Sequence, residues 1–367
     1  MYIQLILWEK CNMDCKYCHL GIKNPKTIIN DNILENIFQK NKKLLEKEPN
    51  QDILLEFQGG EPLLYFDKIK QIVITYKKTF WDKVKFILTT NWTKIDNNIL
   101  NFLKKNKHSI SLNISFDWTD TITTENRTKN RQLTKTIINN IITVINNWIP
   151  ITIIGTINKT WITETNNSPI KIKEYLDKTF NNVDKNKNVN YFFRPEILLD
   201  EKETYGIETD KIINFHTELS KLINNNYYSI KEELLEFNRT FQKNTICIDY
   251  NGTIYPNDYY KSYIKRYNKD ILKEYENIFN IFNISNINDY NNYMDMMEKK
   301  KTINIKDKEF IKLTLNKFQL DILKQNINSD ILVIKPIIIN MIKQNLKKDY
   351  FIFNINKETS EIYKKID

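Results

Sequence analysis

Short apolar runs alternate with longer amphipathic stretches through the first two thirds of the chain. The apolar runs have the length of buried strands, and they predict strands at 3–8, 53–58, 84–89, 110–116, 151–157 and 189–193. The stretches between them have the helical period, and they predict helices from about residue 31 and at 67–80, 97–105, 134–148 and 170–179. The two kinds of segment therefore alternate as repeated β/α units.

Six such units predict an α/β fold with parallel strands and right-handed crossovers. We expect a partial (β/α)6 barrel of the TIM type, in which the chemistry lies at the carboxyl ends of the strands. The loops after the first four predicted strands contain the unusual motifs of the chain: a cysteine cluster, Gly59-Gly60, Thr90-Asn91 and 115–118. All candidate residues are therefore expected on one rim.

The pattern changes near residue 210. The segment TICID-YNG-TIYP predicts a β-hairpin within 245–260, because Asn251-Gly252 suits a tight reverse turn. The rest is rich in Asn, Lys and Ile, and its clearest helical patterns are at 310–325 and 330–346. We therefore expect a core domain over 1–210 and a smaller, mainly helical C-terminal region over 211–367.

Composition limits the classes of protein that the chain can belong to. Its 55 Lys and Arg exceed its 45 Asp and Glu, giving a net charge of +10. The excess of Asn, Ile and Lys over Gly is typical of AT-rich codons, so we do not take the charge as evidence for nucleic-acid binding. The longest apolar stretch, 331–341, is interrupted by Lys335 and Pro336 and is too short to span a bilayer. A soluble, cytoplasmic protein without a membrane partner is expected.

Three of the four cysteines, Cys11, Cys15 and Cys18, lie in one loop with the spacing C-x3-C-x2-C. A local thiol cluster of this kind favours a metal site over a disulfide framework. Three thiolates can hold three corners of a [4Fe-4S] cluster and leave the fourth iron open to a ligand. The alternative is a zinc site completed by His19, because zinc requires four filled positions.

A second motif, Gly59-Gly60-Glu61-Pro62, directly follows the second predicted strand. Two adjacent glycines allow the backbone to approach a ligand, and a carboxylate can pair with an ammonium group. An ordinary strand-to-helix turn is the alternative. The chain has only six glycines, which favours the interpretation as a ligand site.

The segments CNMDCKYC and FQGGEPLL together resemble the signature of the radical S-adenosylmethionine (SAM) superfamily. The resemblance implies one [4Fe-4S] cluster whose free iron is chelated by the amino and carboxylate groups of SAM. It also implies reductive cleavage of SAM to a 5′-deoxyadenosyl radical, which abstracts a hydrogen atom from the substrate. Tyr17 would then lie near the adenine, and Gly59, Gly60 and Glu61 would hold the amino group.

The stretches LTTNW and ISFDW, followed by Arg127, resemble the branch that includes anaerobic sulfatase maturases and peptide-modifying (SPASM-type) enzymes. That branch usually has TNG and S-x-D-G at these places. The resemblance implies further SAM contacts by Gln58, Asn91, Ser115, Asp117 and Arg127. For Ser115 and Asp117 the alternative is strand-end capping. Trp92 and Trp118 replace the usual glycines, and they either stack on a planar substrate or fill a gap.

The segment CIDYNGTIYPNDYY resembles the hairpin that opens the cysteine-rich extension of those maturases. Asn257 stands where the next cysteine is usual, and no cysteine follows it, so auxiliary clusters cannot be assembled from this chain. The resemblance implies a general base at Asp258, for which an exposed turn aspartate is the alternative. Cys247 is either a buried small residue or a hydrogen-atom donor.

These observations predict a radical SAM enzyme of the oxidoreductase or isomerase type that modifies a peptide or protein. An external electron donor such as flavodoxin or ferredoxin is expected. The modification could be epimerisation, oxidation or crosslinking. The lack of auxiliary clusters favours outcomes that need none, such as epimerisation, or use of the first cluster as electron acceptor. One alternative is a single-cluster, viperin-like enzyme acting on a nucleotide or other small molecule, with Trp92 and Trp118 lining its rim. The other is a non-catalytic remnant that binds a cluster or zinc.

Overall fold

The structure is a computed structural model that describes residues 1–18, 20, 24, 26–157, 168–180, 189–195, 215, 218–219, 221–223, 245–255, 258, 261 and 280–283. Its strands are β1 (Tyr2–Ile6), β2 (Ile53–Gln58), β3 (Val84–Thr90), β4 (Ile110–Ser115), β5 (Ile151–Ile157), β6 (Val189–Pro195), β7 (Thr245–Ile248) and β8 (Ile254–Tyr255). Its α-helices are α1 (Asp31–Lys47), α2 (Phe66–Phe80), α3 (Asn97–Asn106), α4 (Asp120–Thr123), α5 (Arg131–Asn146) and α6 (Pro169–Thr179). A short 3-10 helix, Pro62–Tyr65, precedes α2, and a π-helical turn, Thr124–Thr128, follows α4.

The eight strands form one sheet in the order β6-β5-β4-β3-β2-β1-β7-β8. All neighbours from β6 to β7 are parallel, and only β8 runs antiparallel to its neighbour. Helices connect the successive parallel strands β1 to β6, as right-handed crossovers require. The predicted α/β fold with a partial barrel is confirmed.

Polar side chains set the starts of several helices. Asn30, Asp96 and Asn130 accept hydrogen bonds from the third backbone N–H of α1, α3 and α5 respectively. Each cap satisfies one of the donors that a helix start leaves unpaired. The cap at Asn130 explains why α5 begins three residues before the start predicted at residue 134.

The two faces of the sheet differ in chemistry. Phe57 and Phe86 stack on neighbouring strands with ring centroids 5.9 Å apart, and Phe86 meets Tyr76 of α2. This face, which packs on the helices, is apolar. Since side chains alternate along a strand, Glu56 and Gln4 point to the opposite, inner face of the partial barrel. Both are buried there, so the barrel interior is polar where the outer layer is not.

The predicted hairpin is formed by β7 and β8, and it extends the main sheet. Ile3 pairs with Ile246 and Gln4 with Cys247, so β7 lies beside β1 on the side away from β2. The predicted domain boundary at residue 210 and the helices at 310–325 and 330–346 lie outside the described residues. In the part of the chain that the structure describes, no helix combines the length and the apolar character needed to cross a membrane.

Candidate functional site

The loop between β1 and α1 carries the three clustered cysteines. Cys11, Cys15 and Cys18 are unoxidised and half-buried. The backbone N–H of Cys18 donates to the carbonyl of Cys15 at 3.2 Å, and the side-chain amide of Asn91 lies 3.7 Å from Cys11 Sγ. The loop therefore folds back on itself and contacts the rim after β3.

The electrostatics of this loop keep Cys15 a neutral thiol when no cation is bound. Burial raises the pKa of Cys15 to about 11, Arg127 lowers this pKa, and the neighbouring Cys18 and Cys11 raise it. A positively charged metal centre would offset these costs, because coordination deprotonates a thiol. The donor set thus fits a sulfur-ligated group.

An iron-sulfur cluster and a zinc ion place different demands on the cysteine loop. Within the described residues, no three Cys, His, Asp or Glu side chains are gathered to hold one metal ion. Zinc needs four donors around a single point. The three thiolates of an iron-sulfur site bind three different irons, so they need not converge in this way. His19, the proposed fourth zinc ligand, lies outside the described residues.

A buried polar cluster fastens the cysteine loop to the loop after β4. Tyr17 donates its hydroxyl to Asp117 Oδ2 at 2.5 Å, and Arg127 Nη2 lies 2.9 Å from Asp117 Oδ1. The same Oδ1 accepts the backbone N–H of Thr156 at 2.9 Å. The Arg127 guanidinium also lies over the Tyr17 ring, 5.1 Å from its centroid. Asp117, completely buried, therefore joins the cysteine loop to β5 and the π-helical turn.

Charge and burial act against each other in this cluster. Burial lowers the pKa of Arg127, but the Asp117 carboxylate more than offsets this and raises the pKa above its usual range. Burial raises the pKa of Tyr17 well above its usual value. Arg127 is therefore charged and Tyr17 neutral. Among the described residues, Arg127 Nε has no hydrogen-bond partner, so one buried donor remains for an anionic group.

The π-helical turn Thr124–Thr128 contacts the cysteine loop through hydrogen bonds and ion pairs. Lys16 donates its backbone N–H to the carbonyl of Asn126 at 2.8 Å. Two exposed ion pairs, Lys16 with Glu125 and Lys129 with Asp14, join the same two segments. π-Helical turns are rare and are found frequently at functional sites.

The two glycines after β2 allow two loops to touch. A Cβ on Gly59 would lie 2.2 Å from the carbonyl oxygen of Trp8, and one on Gly60 would lie 2.0 Å from that of Lys10. Gly59 also has a φ of +130°, which L side chains rarely adopt. The glycines therefore permit contact between the loops after β1 and β2, a reason that differs from the expected approach to a ligand.

The buried carboxylate of Glu61 accepts hydrogen bonds from two loops of the rim. Its carboxylate accepts the backbone N–H of Leu63 at 2.9 Å, the hydroxyl of Thr90 at 2.6 Å and the backbone N–H of Asn91 at 2.7 Å. Burial raises the pKa of Glu61 to about 7, although these hydrogen bonds lower it. The side chain is 1% exposed. Glu61 thus connects the loop after β2 to the loop after β3.

The rim tryptophans do not face a ligand. Trp92 and Trp118 are completely buried in the hydrophobic core. Trp118 lies against Gly155 of β5, and the backbone carbonyl of Trp92 accepts a hydrogen bond from Asn140 of α5. This supports gap filling over stacking on a substrate. Ser115 ends β4 beside Ile154 of β5 and is also buried.

Inside the barrel, Glu56 is the centre of a second polar group. It accepts hydrogen bonds from Tyr2, from Thr89 and from the Gln58 side chain. Burial raises the pKa of Glu56, and the nearby Asp258 carboxylate adds to this effect. Gln58, expected to contact SAM, therefore contacts Glu56.

Asp258 and Cys247 border the same interior. Asp258 is 3% exposed, and its backbone N–H donates to Gln4 Oε1 at 3.2 Å. The interpretation of Asp258 as an exposed turn residue is therefore wrong, because it packs against the inner face of β1. Cys247 is completely buried, and burial raises its pKa well above the usual value.

A buried lysine was not expected from the sequence. Lys261 Nζ lies 2.7 Å from Asp249 Oδ1 and 3.4 Å from Glu9 Oε1, and the lysine is 1% exposed. These contacts join the residue after β7 to the start of the cysteine loop. Sequence analysis also missed Glu56, although an acid inside the apolar run ILLEFQ was a usable signal. No local pattern distinguished Lys261 from the other lysines.

Comparison with known proteins agrees with this fold. Residues 5–165 match the family model of the Radical SAM superfamily, so this part of the chain is similar to a radical SAM domain. Members carry out radical chemistry with SAM and an iron-sulfur cluster.

Two curated relatives match part of the chain. The radical SAM cyclopropyl synthase TigE of Paramaledivibacter caminithermalis is 29% identical over 133 residues, which cover 31% of this chain and 26% of that protein. An uncharacterized protein of Methanocaldococcus jannaschii is 29% identical over 119 residues, covering 32% and 38% respectively. The matches span well under half the length of these relatives.

Solved structures similar to this one include two with known ligands. Native anSMEcpe with bound AdoMet has a TM-score of 0.53 and 20% identity, covering 71% of this chain and 76% of that chain. SuiB of Streptococcus suis, bound to the precursor peptide SuiA, has a TM-score of 0.52 and 16% identity, covering 71% and 60%. At these identities the likeness shows the fold.

Proposed function

We propose that this protein uses SAM to abstract a hydrogen atom from a peptide or protein substrate. The observation that carries the proposal is the attachment of the cysteine loop to the rim by two buried groups. Asp117 holds Tyr17 and Arg127, while Glu61 holds the loop that carries Asn91 beside Cys11. Side chains from several strand ends thus fix one loop in place, as a preorganised site requires.

Cys11, Cys15 and Cys18 would hold a [4Fe-4S] cluster, which supplies the electron for reductive cleavage of SAM. The half-buried positions of these thiols limit contact with water. Arg127 would offer its spare Nε donor to an anionic group of SAM, and Asn91 would offer side-chain polar atoms at the same rim. The remaining predicted contacts, Ser115 and the backbone of Gly59 and Gly60, lie on adjoining strand ends.

A peptide substrate is supported by the barrel interior and by the fold neighbours. SuiB has been solved with its precursor peptide, and anSMEcpe with two peptides. Asp258 and Glu56 provide two buried carboxyl groups within electrostatic range of each other. Two interacting carboxyl groups do not ionise equally, so one can accept a proton while the other stays neutral. We assign the acceptor role to Asp258.

The nucleotide alternative loses one of its supports. It took Trp92 and Trp118 as a surface for a base, and both indole rings are completely buried. An external reductant such as flavodoxin or ferredoxin remains part of the proposal.

Anaerobic reconstitution with iron and sulfide tests the proposal. We expect about four irons per chain and formation of 5′-deoxyadenosine from SAM with dithionite. Cys15→Ala should lose both the iron and the cleavage, whereas Cys247→Ala should keep the full iron content, because Cys247 lies buried in β7. Binding of one zinc ion per chain, with no cleavage of SAM, would refute the proposal that the protein is a SAM-cleaving enzyme.

The peptide part of the proposal has its own test. Candidate precursor peptides encoded beside the gene should stimulate 5′-deoxyadenosine formation and gain a modification visible by mass spectrometry. Stimulation by nucleotides and by no peptide would refute this part while leaving the SAM chemistry intact.

A further inference from the structure

Four tryptophans occupy backbone conformations that favour glycine. The φ angles are +50° at Trp81, +58° at Trp92, +67° at Trp118 and +57° at Trp148. Positive φ brings the Cβ of an L residue against its own backbone, and for a bulky residue it is a genuine outlier. Trp81 is the most extreme, because its ψ of −122° lies in a region that is essentially reserved for glycine.

Trp148 follows the end of α5 in a Schellman motif. Its backbone N–H donates to the carbonyl of Ile145 at 3.0 Å, and the N–H of Ile149 donates to the carbonyl of Val144 at 3.4 Å. The left-handed residue of this motif is usually glycine. The indole of Trp148 is 72% exposed, so little packing compensates for the backbone conformation.

Trp81 is the C-cap residue of α2. Its backbone N–H donates to the carbonyl of Lys77, and its side chain is 79% exposed. At both helix ends the backbone contacts define the position, and the side chain projects from the surface.

At the rim, backbone contacts again define the conformation. The N–H of Trp92 donates to Thr90 Oγ1 at 3.0 Å, and its carbonyl accepts from Asn140 at 3.0 Å. The buried indole N–H of Trp92 has no hydrogen-bond partner among the described residues. A buried donor without a partner is unfavourable, and glycine would remove it. Among the described residues, no hydrogen bond from the indole therefore requires tryptophan at this position.

The pattern is specific to tryptophan. Lys129 is the one other non-glycine residue with positive φ in the described part of the chain. Trp8 behaves differently, because its indole donates to the carbonyl of Glu61 and stacks on Tyr65. Trp161 lies outside the described residues. The whole chain has six glycines in 367 residues, whereas glycine averages about 7% of residues in proteins.

We propose that positions 81, 92, 118 and 148 carry glycine in the protein made by its own cell, where the codon rendered as tryptophan is decoded as glycine. UGA has such a variable meaning, since different genetic codes assign it to termination, tryptophan or glycine. A single reassigned codon explains why one rare residue type recurs at glycine conformations in two helix ends and two rim turns.

Two of the four positions, 92 and 118, lie in turns of the candidate site. Position 92 follows Asn91, which binds Glu61, and position 118 follows Asp117, which binds Tyr17 and Arg127. Glycine at both positions would let the two turns form without strain, so these are positioning residues for the site. The backbone conformations at these four positions do not depend on the reaction that the protein catalyses.

The direct test is mass spectrometry of proteolytic peptides from the protein purified from its native organism. We expect glycine at all four positions and UGA at the corresponding codons of the gene. Tryptophan at any of the four would overturn the proposal. This result is independent of whether the protein cleaves SAM.

A second test uses the recombinant chain and the surface position Trp148, where no cavity is created. Trp148→Gly should melt about 2–4 °C above Trp148→Ala, because only glycine relieves the positive φ. Asn139, exposed in the interior of α5, is the matched control, where alanine should be more stable than glycine. A higher melting temperature for Trp148→Ala would overturn the claim that this turn is built for glycine.

Discussion

Replacement of Asp117 with asparagine tests whether the buried cluster holds the cysteine loop in place. The side chains of Asp117 and Arg127 are 0% and 5% exposed, and their charges lie 2.9 Å apart. Asparagine keeps the size of Asp117 but leaves the guanidinium without a counter-charge. Loss of one partner from a buried pair costs about 3–5 kcal/mol. At about 2–4 °C per kcal/mol for a domain of this size, the melting temperature should fall by about 6–20 °C.

Asp14→Asn is the matched control. Asp14 pairs with Lys129 at 3.2 Å and joins the same two segments, but the two side chains are 87% and 54% exposed. An exposed pair contributes at most about 1 kcal/mol. We therefore expect a fall of no more than about 2–4 °C for this control.

Differential scanning fluorimetry of the apo protein measures both variants, and iron content after reconstitution reports on the loop itself. Asp117→Asn should also bind less iron, because Tyr17 loses its charged acceptor. The double variant Asp117→Asn/Arg127→Gln should recover part of the lost stability, since it removes the unpaired charge. The reasoning is refuted if Asp117→Asn shifts the melting temperature no more than Asp14→Asn does.

Three further predictions concern other parts of the site. Burial holds the pKa of Glu61 near 7, above its usual 4.5, so its contribution to stability is present below pH 4.5 and is lost as the pH rises through 7. The free energy of unfolding, measured with urea, should fall from about pH 5 to about pH 8 in the wild type but not in Glu61→Gln. Equal dependence on pH in the two proteins would contradict this prediction. Gly60→Ala should lower the free energy of unfolding by about 1–3 kcal/mol in the same assay, because its Cβ would lie 2.0 Å from the carbonyl oxygen of Lys10. An unchanged urea midpoint would contradict this prediction. Asp258→Asn should lower the pKa of Glu56, because it removes a like charge. The variant should form about 10²-fold less modified peptide but should still form 5′-deoxyadenosine. An equal loss of both products would refute the assignment of Asp258 as the base.

Local patterning was sufficient for most of the fold. The runs 53–58 and 151–157 coincide with β2 and β5, because buried strands of a parallel sheet are nearly continuous apolar segments. The pairing of β7 with β1 was not predicted, since the two segments are far apart in the chain and nothing local encodes their register. The sequence therefore indicated a hairpin but not its membership in the main sheet.

The residue types of the candidate site could be selected from sequence motifs, but their hydrogen bonds with one another could not. The motifs selected Tyr17, Asp117 and Arg127, and the structure brings these three together. Their contacts with one another were not predicted, and their contacts with SAM stay predictions. Hydrogen bonds such as that from Thr156 to Asp117 depend on loop conformations after separate strands, which residue spacing does not specify.

The parallel pairing of β1 with β7 has a consequence during synthesis. β1 ends at Ile6 and β7 begins at Thr245, so the ribosome must translate about 240 residues before this edge of β1 can be covered. At about 5–20 residues per second, that interval lasts about 12–48 s. During this time the nascent sheet exposes an apolar edge strand that other chains could join. The chain is therefore expected to depend on chaperones while it is made, and truncation before residue 245 should favour aggregation.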